Sequence, residues 1–153
     1  MPTLGDFFSE DKKREHIARS LKPGQIFYLF CNFTSPQKEK YLILICSEPK
    51  HLFFLINSEI HPFIKKRSEL NQCQVSLKQN DHNFLDHDSF IDCIDVKEFH
   101  LEEIENQILV DMSRIKGTAN QQVIDNIIAA VKTTKTIIPR HKKWILDSLT
   151  NRS

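Results

Sequence analysis

The sequence predicts an α+β protein, a small antiparallel β-barrel or sandwich with helices at both ends. Two patterns lead there. Apolar, β-branched and aromatic runs at 26–30, 41–46, 52–58 and 90–94 are separated by polar and proline-bearing punctuation, which is how short strands read in sequence. From Leu101 onward the apolar spacing changes from a period of 2 to one of 3.6, the mark of amphipathic helices. The 153 residues suffice for one domain with its own core and leave no room for two.

Each element has its own justification. Ser9 follows Phe7 and Phe8 and is a suitable N-cap for a short surface helix, which Lys22-Pro23-Gly24 ends. A first strand runs from Gln25 to about Phe33, and 34–38 form a polar loop. The second strand, Tyr41 to Ser47, is almost wholly apolar, so it belongs at the sheet centre with both faces covered. After the turn Glu48-Pro49-Lys50 comes a third strand, His51 to Ser58, and Pro62 stops its ladder because it has no N–H. A basic loop follows, then an alternating, edge-side strand at 72–77. Turn chemistry fills 78–88 around Phe84-Leu85, and Ser89 to Val96 is the fifth and last strand.

Beyond the strands, Leu101, Ile104 and Ile108 share one face of a short helix with Glu102, Glu103 and Glu105 at its front, where the dipole favours them. Gly117 begins a stronger helix in which Thr118 and Gln121 have capping-box spacing. Its stripe of Val123, Ile124, Ile127, Ile128 and Val131 exceeds what a small barrel covers, which leaves part of it for a partner. Pro139 starts a terminal helix that docks Trp144, Ile145 and Leu149. The barrel and main helix thus occupy 22–131, with peripheral helices in 1–21 and 137–153.

A net charge of +1 with 27% charged residues excludes a strong overall pull on nucleic acid or membrane, so any such attraction is local. No apolar stretch approaches the roughly 20 residues of a membrane span. The amino terminus lacks the order of a signal peptide, and the expected location is the cytoplasm. The cysteines at 31, 46, 73 and 93 lie in or beside apolar runs and read as reduced core thiols.

Several short motifs resemble the PemK/MazF family of toxin endoribonucleases. They are Lys22-Pro23-Gly24-Gln25-Ile26, the strand entered at Lys40-Tyr41, the strand ending Ile56-Asn57-Ser58, the 84–95 segment with its Asp88-Ser89 step, and Arg114-Ile115-Lys116-Gly117-Thr118 leading into a helix. The resemblance implies an SH3-like barrel of about five strands, usually a homodimer, that cuts single-stranded mRNA without metal or other cofactor and is neutralised by an antitoxin protein. Family members commonly carry Arg-Pro where this chain has Lys40-Tyr41, and lysine lacks the bidentate fork.

Metal-free RNA cleavage needs a base for the 2′-hydroxyl, donors for the phosphorane and an acid for the leaving oxygen. Lys40, Ser58, His61, His87 and Asp88 are the catalytic candidates, and Thr34, Phe63, Lys65, Lys66 and Arg67 the RNA-binding ones. Plainer roles compete with these. The 65–67 triplet suits a solvated loop, Ser58 suits a turn cap, and the Asp and His residues of 81–88 fill turns more often than they bind metal. The functional alternative is a non-catalytic barrel that binds protein or nucleic acid.

Overall fold

In the computed structural model, which describes residues 9–151, the apolar runs form one antiparallel sheet that curls into a half-barrel. Its strands are β1 (Gln25–Cys31), β2 (Lys38–Cys46), β3 (His51–Asn57), β4 (Gln74–Leu77), β5 (Ser89–Asp92), β6 (Lys97–Phe99) and β7 (Ile115–Thr118). They lie in the order β4-β5-β3-β2-β1-β7, with β6 pairing the first half of β3. The helices are α1 (Glu10–Ser20), α2 (Pro62–Lys65), α3 (Ser68–Asn71), α4 (Leu101–Val110), α5 (Gln121–Thr133) and α6 (Pro139–Thr150).

Strand β2 is central, as its composition predicts, because it supplies two cores at once. Ile43 and Ile45 join Ile26, Phe54, Ile56 and Ile91 beneath α5 and α6. Leu42 and Leu44 point the other way, to Phe27, Leu29, Phe53 and Phe99 beneath α1 and α4. Full burial of each such side chain contributes about 1.5–3 kcal/mol.

Helix α1 has the expected cap, with Ser9 Oγ accepting the Lys12 N–H at 3.2 Å. It is more than a surface helix, since Ile17 is wholly buried and Arg14 bridges to Glu105 of α4. Phe7 and Phe8 lie outside the described residues.

Two expectations are corrected. The segment 89–96 is not one strand. After β5 (Ser89–Asp92) the ladder breaks at 93–96, and the chain continues in the same direction along the edge of β3 as β6, pairing its first half. The 115–118 stretch is strand β7 on the edge of β1, and Asn120 caps α5 instead of Thr118, accepting the Val123 N–H at 2.9 Å. Most of the apolar stripe of α5 is covered within the chain. Val123, Ile124, Ile127 and Val131 share one core with Ile145 and Leu149 of α6, and Ile128 is packed against it but only partly buried.

β7 pairs only with the first residues of β1, and side chains protect the remainder of that edge. Arg114 donates to the Tyr28 carbonyl at 2.8 Å, and the Gln107 amide accepts the Phe30 N–H at 2.8 Å and donates to its carbonyl at 3.4 Å. An open edge would otherwise present unpaired backbone groups to another chain.

Candidate functional site

On the α1/α4 face of the sheet, around Lys40, strand register gathers a half-buried polar cluster. Alternation along β2 puts Lys40 on the same face as Leu42 and Leu44, and register sets it opposite Asn57 of β3 and Leu29 of β1. The Lys40 ammonium donates to the Asn57 side-chain oxygen. Asn57 in turn stands opposite Phe90 of β5, and Asp92 follows two residues later on that face. Lys97 approaches from β6 with its ammonium over the Phe33 ring, 4.6 Å from the centroid. Lys40, Leu55, Asn57, Phe90, Asp92 and Lys97 are all half-buried.

Partial burial sets the electrostatics. Desolvation, followed by repulsion from Lys38, pulls the Lys40 pKa below the ordinary lysine value, while Asp92 acts in the opposite direction. Desolvation raises the Asp92 pKa, although the Gln74 amide donates to its carboxylate at 2.8 Å. The buried Cys31 thiol is pushed up to about 11, against the pull of Lys40 and Lys97. The amine and the carboxyl are each brought nearer to neutrality, which is where general acid–base groups work best. With the Asn57 amide they could hold an anionic oxygen and move a proton beside it.

Among the predicted residues, only Lys40 belongs to this cluster. Ser58 is exposed one residue past β3, and the Asn57 amide is what meets the lysine. His61 caps α2, its Nδ1 accepting the Phe63 N–H at 3.1 Å. His87 is exposed, with Nδ1 3.1 Å from the Asp88 carbonyl. The Asp88 carboxylate accepts the Gln79 N–H at 2.9 Å and lies 3.7 Å from the Lys78 ammonium. Thr34 knots the β1–β2 loop, accepting the Lys38 N–H at 3.1 Å with its hydroxyl 2.9 Å from the Pro36 carbonyl. Among the described residues no hydrogen bond or ion pair joins His61, His87 or Asp88 to Lys40.

The RNA-binding candidates at 63–67 do form a basic, aromatic knob. Phe63 is 54% exposed, the Arg67 guanidinium sits 4.5 Å from its ring centroid, and Lys65 and Lys66 face solvent. The expected basic loop is here folded as α2 and α3. His82, from the same acidic and histidine-rich stretch as His87, is buried. Its Nδ1 lies 2.9 Å from the Lys78 carbonyl and its Nε2 accepts the Asn120 N–H at 3.2 Å, which pins the 78–88 loop to the start of α5. Among the described residues no group of three or more His, Cys, Asp or Glu side chains is placed to hold a metal.

Sequence reading missed Asn57, Asp92 and Lys97. A signal for Asp92 was present, a carboxylate between Ile91 and Cys93 in an otherwise apolar strand. The Lys40–Asn57 match depends on the β2–β3 register, which has no local signature.

No family model matches the chain, and no curated protein matches it. No helix among the described residues is long and apolar enough to cross a membrane.

Proposed function

We propose that the chain is a toxin-like endoribonuclease that cuts single-stranded RNA through attack of the RNA's own 2′-hydroxyl, without a metal. The observation that carries this is the half-buried Lys40 ammonium held by Asn57, with Asp92 close enough to act on it. Lys40 and Asn57 hold the non-bridging phosphate oxygens and offset the charge that grows on the phosphorane. Asp92, its pKa raised by burial, takes the 2′-hydroxyl proton or supplies one to the leaving 5′-oxygen. The products are a 2′,3′-cyclic phosphate and a 5′-hydroxyl. An SH3-like barrel, a cytoplasmic location, an antitoxin protein and a homodimer belong to the same proposal. The Phe63–Arg67 knob supplies a stacking surface for bases.

One observation favours a barrel that binds RNA or protein without cutting. His61, His87 and Asp88 are engaged in caps and turns rather than placed at Lys40. Incubating the purified protein with end-labelled single-stranded RNA in a chelator separates the two. Cleavage to cyclic phosphate ends, lost in Lys40→Met, supports the enzyme. Intact RNA at every protein concentration, with binding retained, decides for the non-catalytic barrel.

A further inference from the structure

The near-neutral total charge hides an uneven distribution. Between Asp125 and Asp147 the chain carries Lys132, Lys135, Arg140, Lys142 and Lys143 and no acidic residue. The structure gathers these five on the last turn of α5, the connection after it and the first turns of α6. Four are exposed and Lys142 is half-buried, and among the described residues none has a carboxylate partner. Glu98, the acid that acts on nearby His141, is already bridged by Lys50 at 3.5 Å. Trp144 completes the surface, with the Arg140 guanidinium 5.3 Å from its ring and His141 tilted against it at 5.5 Å.

This placement opposes the helix's own electrostatics. The first turn of α6 has no acidic residue and no side-chain cap, and its cations face the positive end of the dipole. A polyanion bound there would relieve that repulsion.

We propose that this surface binds the phosphate backbone of single-stranded RNA, with Trp144 and Arg140 offering a stacking plane to a base. Unpaired cations beside a half-exposed indole suit sequence-tolerant strand binding. An anionic membrane fits less well, because Ile145 and Leu149 of α6 are buried in the core and Leu146 is packed against it, which leaves too little free apolar surface on the helix for insertion into lipid. Lys50 and His141 place the surface at the β2–β3 turn, the opposite end of β2 from Lys40, so binding here does not depend on cleavage at Lys40.

The test is fluorescence anisotropy with a labelled 2′-O-methyl RNA of about 20 nucleotides, which cannot be cut and exceeds the usual single-strand site size. The variant is the triple change Lys135→Gln, Arg140→Gln, Lys143→Gln. Its Kd should rise at least about tenfold near physiological salt, and its log Kd against log salt slope should flatten by about 2, since each single-strand phosphate contact contributes about 0.7. Its melting temperature should hold or rise, because repulsion in α6 is removed. The flattening of the salt slope should be the same size in a Lys40→Met background, where any cleavage of unmodified RNA is lost, which separates failure here from failure of the nuclease proposal. An unchanged slope in the triple variant overturns the proposal. So does a wild-type protein that does not bind the RNA, or one whose RNA is displaced equally well by poly-glutamate or by phosphatidylserine vesicles.

Discussion

Lys40 and Asn57 face each other across the β2–β3 pair, and the lysine ammonium donates to the asparagine side-chain oxygen. Neither has a charged partner at that contact, so the lysine keeps its positive charge unneutralised in a half-buried position. A structural lysine more often reaches water or a carboxylate.

Removal of either partner should therefore act differently on stability and on activity. Asn57→Leu takes away the acceptor and should destabilise the fold by about 1 kcal/mol, the low end for an unpaired polar group because water still reaches the site. Lys40→Met should leave melting unchanged or raise it, yet lower RNA cleavage by about two orders of magnitude or more. Urea titration and initial rates measure the two effects separately.

Asp92 should make stability depend on pH. Its folded pKa lies above the ordinary 3.8, so the folded state binds the proton more tightly than the unfolded chain does. The contribution of this group is then fully present below 3.8 and lost as pH rises through the folded pKa. Asp92→Asn retains an oxygen for the Gln74 amide and avoids the buried charge. It should melt at a higher temperature than the parent at neutral pH, and the advantage should vanish in acid. Equal melting temperatures across the range would contradict the assigned burial cost.

Gly117 in β7 is packed against the Phe84 ring, where an added Cβ would lie 2.8 Å from Cε1. The ring cannot easily swing aside, since His82 and Tyr41 flank it at 6.0 and 6.3 Å between centroids. Gly117→Ala should cost about 1–3 kcal/mol through overpacking. Phe84→Leu in the same chain should recover part of that loss, and a double-mutant cycle in urea measures the coupling.

Three neighbouring histidines should respond differently to alanine. His82→Ala strands the Asn120 N–H and opens a buried space, costing about 2–3 kcal/mol. His61→Ala removes an exposed helix cap and should cost about 1 kcal/mol. His87→Ala, at an exposed loop, should stay within about 0.5 kcal/mol. If His87→Ala nonetheless abolishes RNA cleavage in a folded protein, that histidine takes part in the chemistry after all.

Local chemistry alone identified β2 as central, Ser9 and Pro139 as helix starts, and α5 as amphipathic, because periodicity, capping and missing N–H groups act within a few residues of where they are read. What only the tertiary structure decided involves partners far apart in sequence. Asn57 meets Lys40 through strand register, β7 joins β1 across 92 positions from Gln25 to Gly117, and Ile145 and Leu149 of α6 pack on the stripe of α5. The break at 93–96 splits a run whose composition suits one longer strand, since which partner fills the edge of β3 depends on the curl of the whole sheet. The histidines show the same division. Their sequence neighbours marked them as chemically capable, but hydrogen bonds to the Lys78 carbonyl and to the Asn120 and Phe63 N–H groups turned His82 and His61 into structural ties.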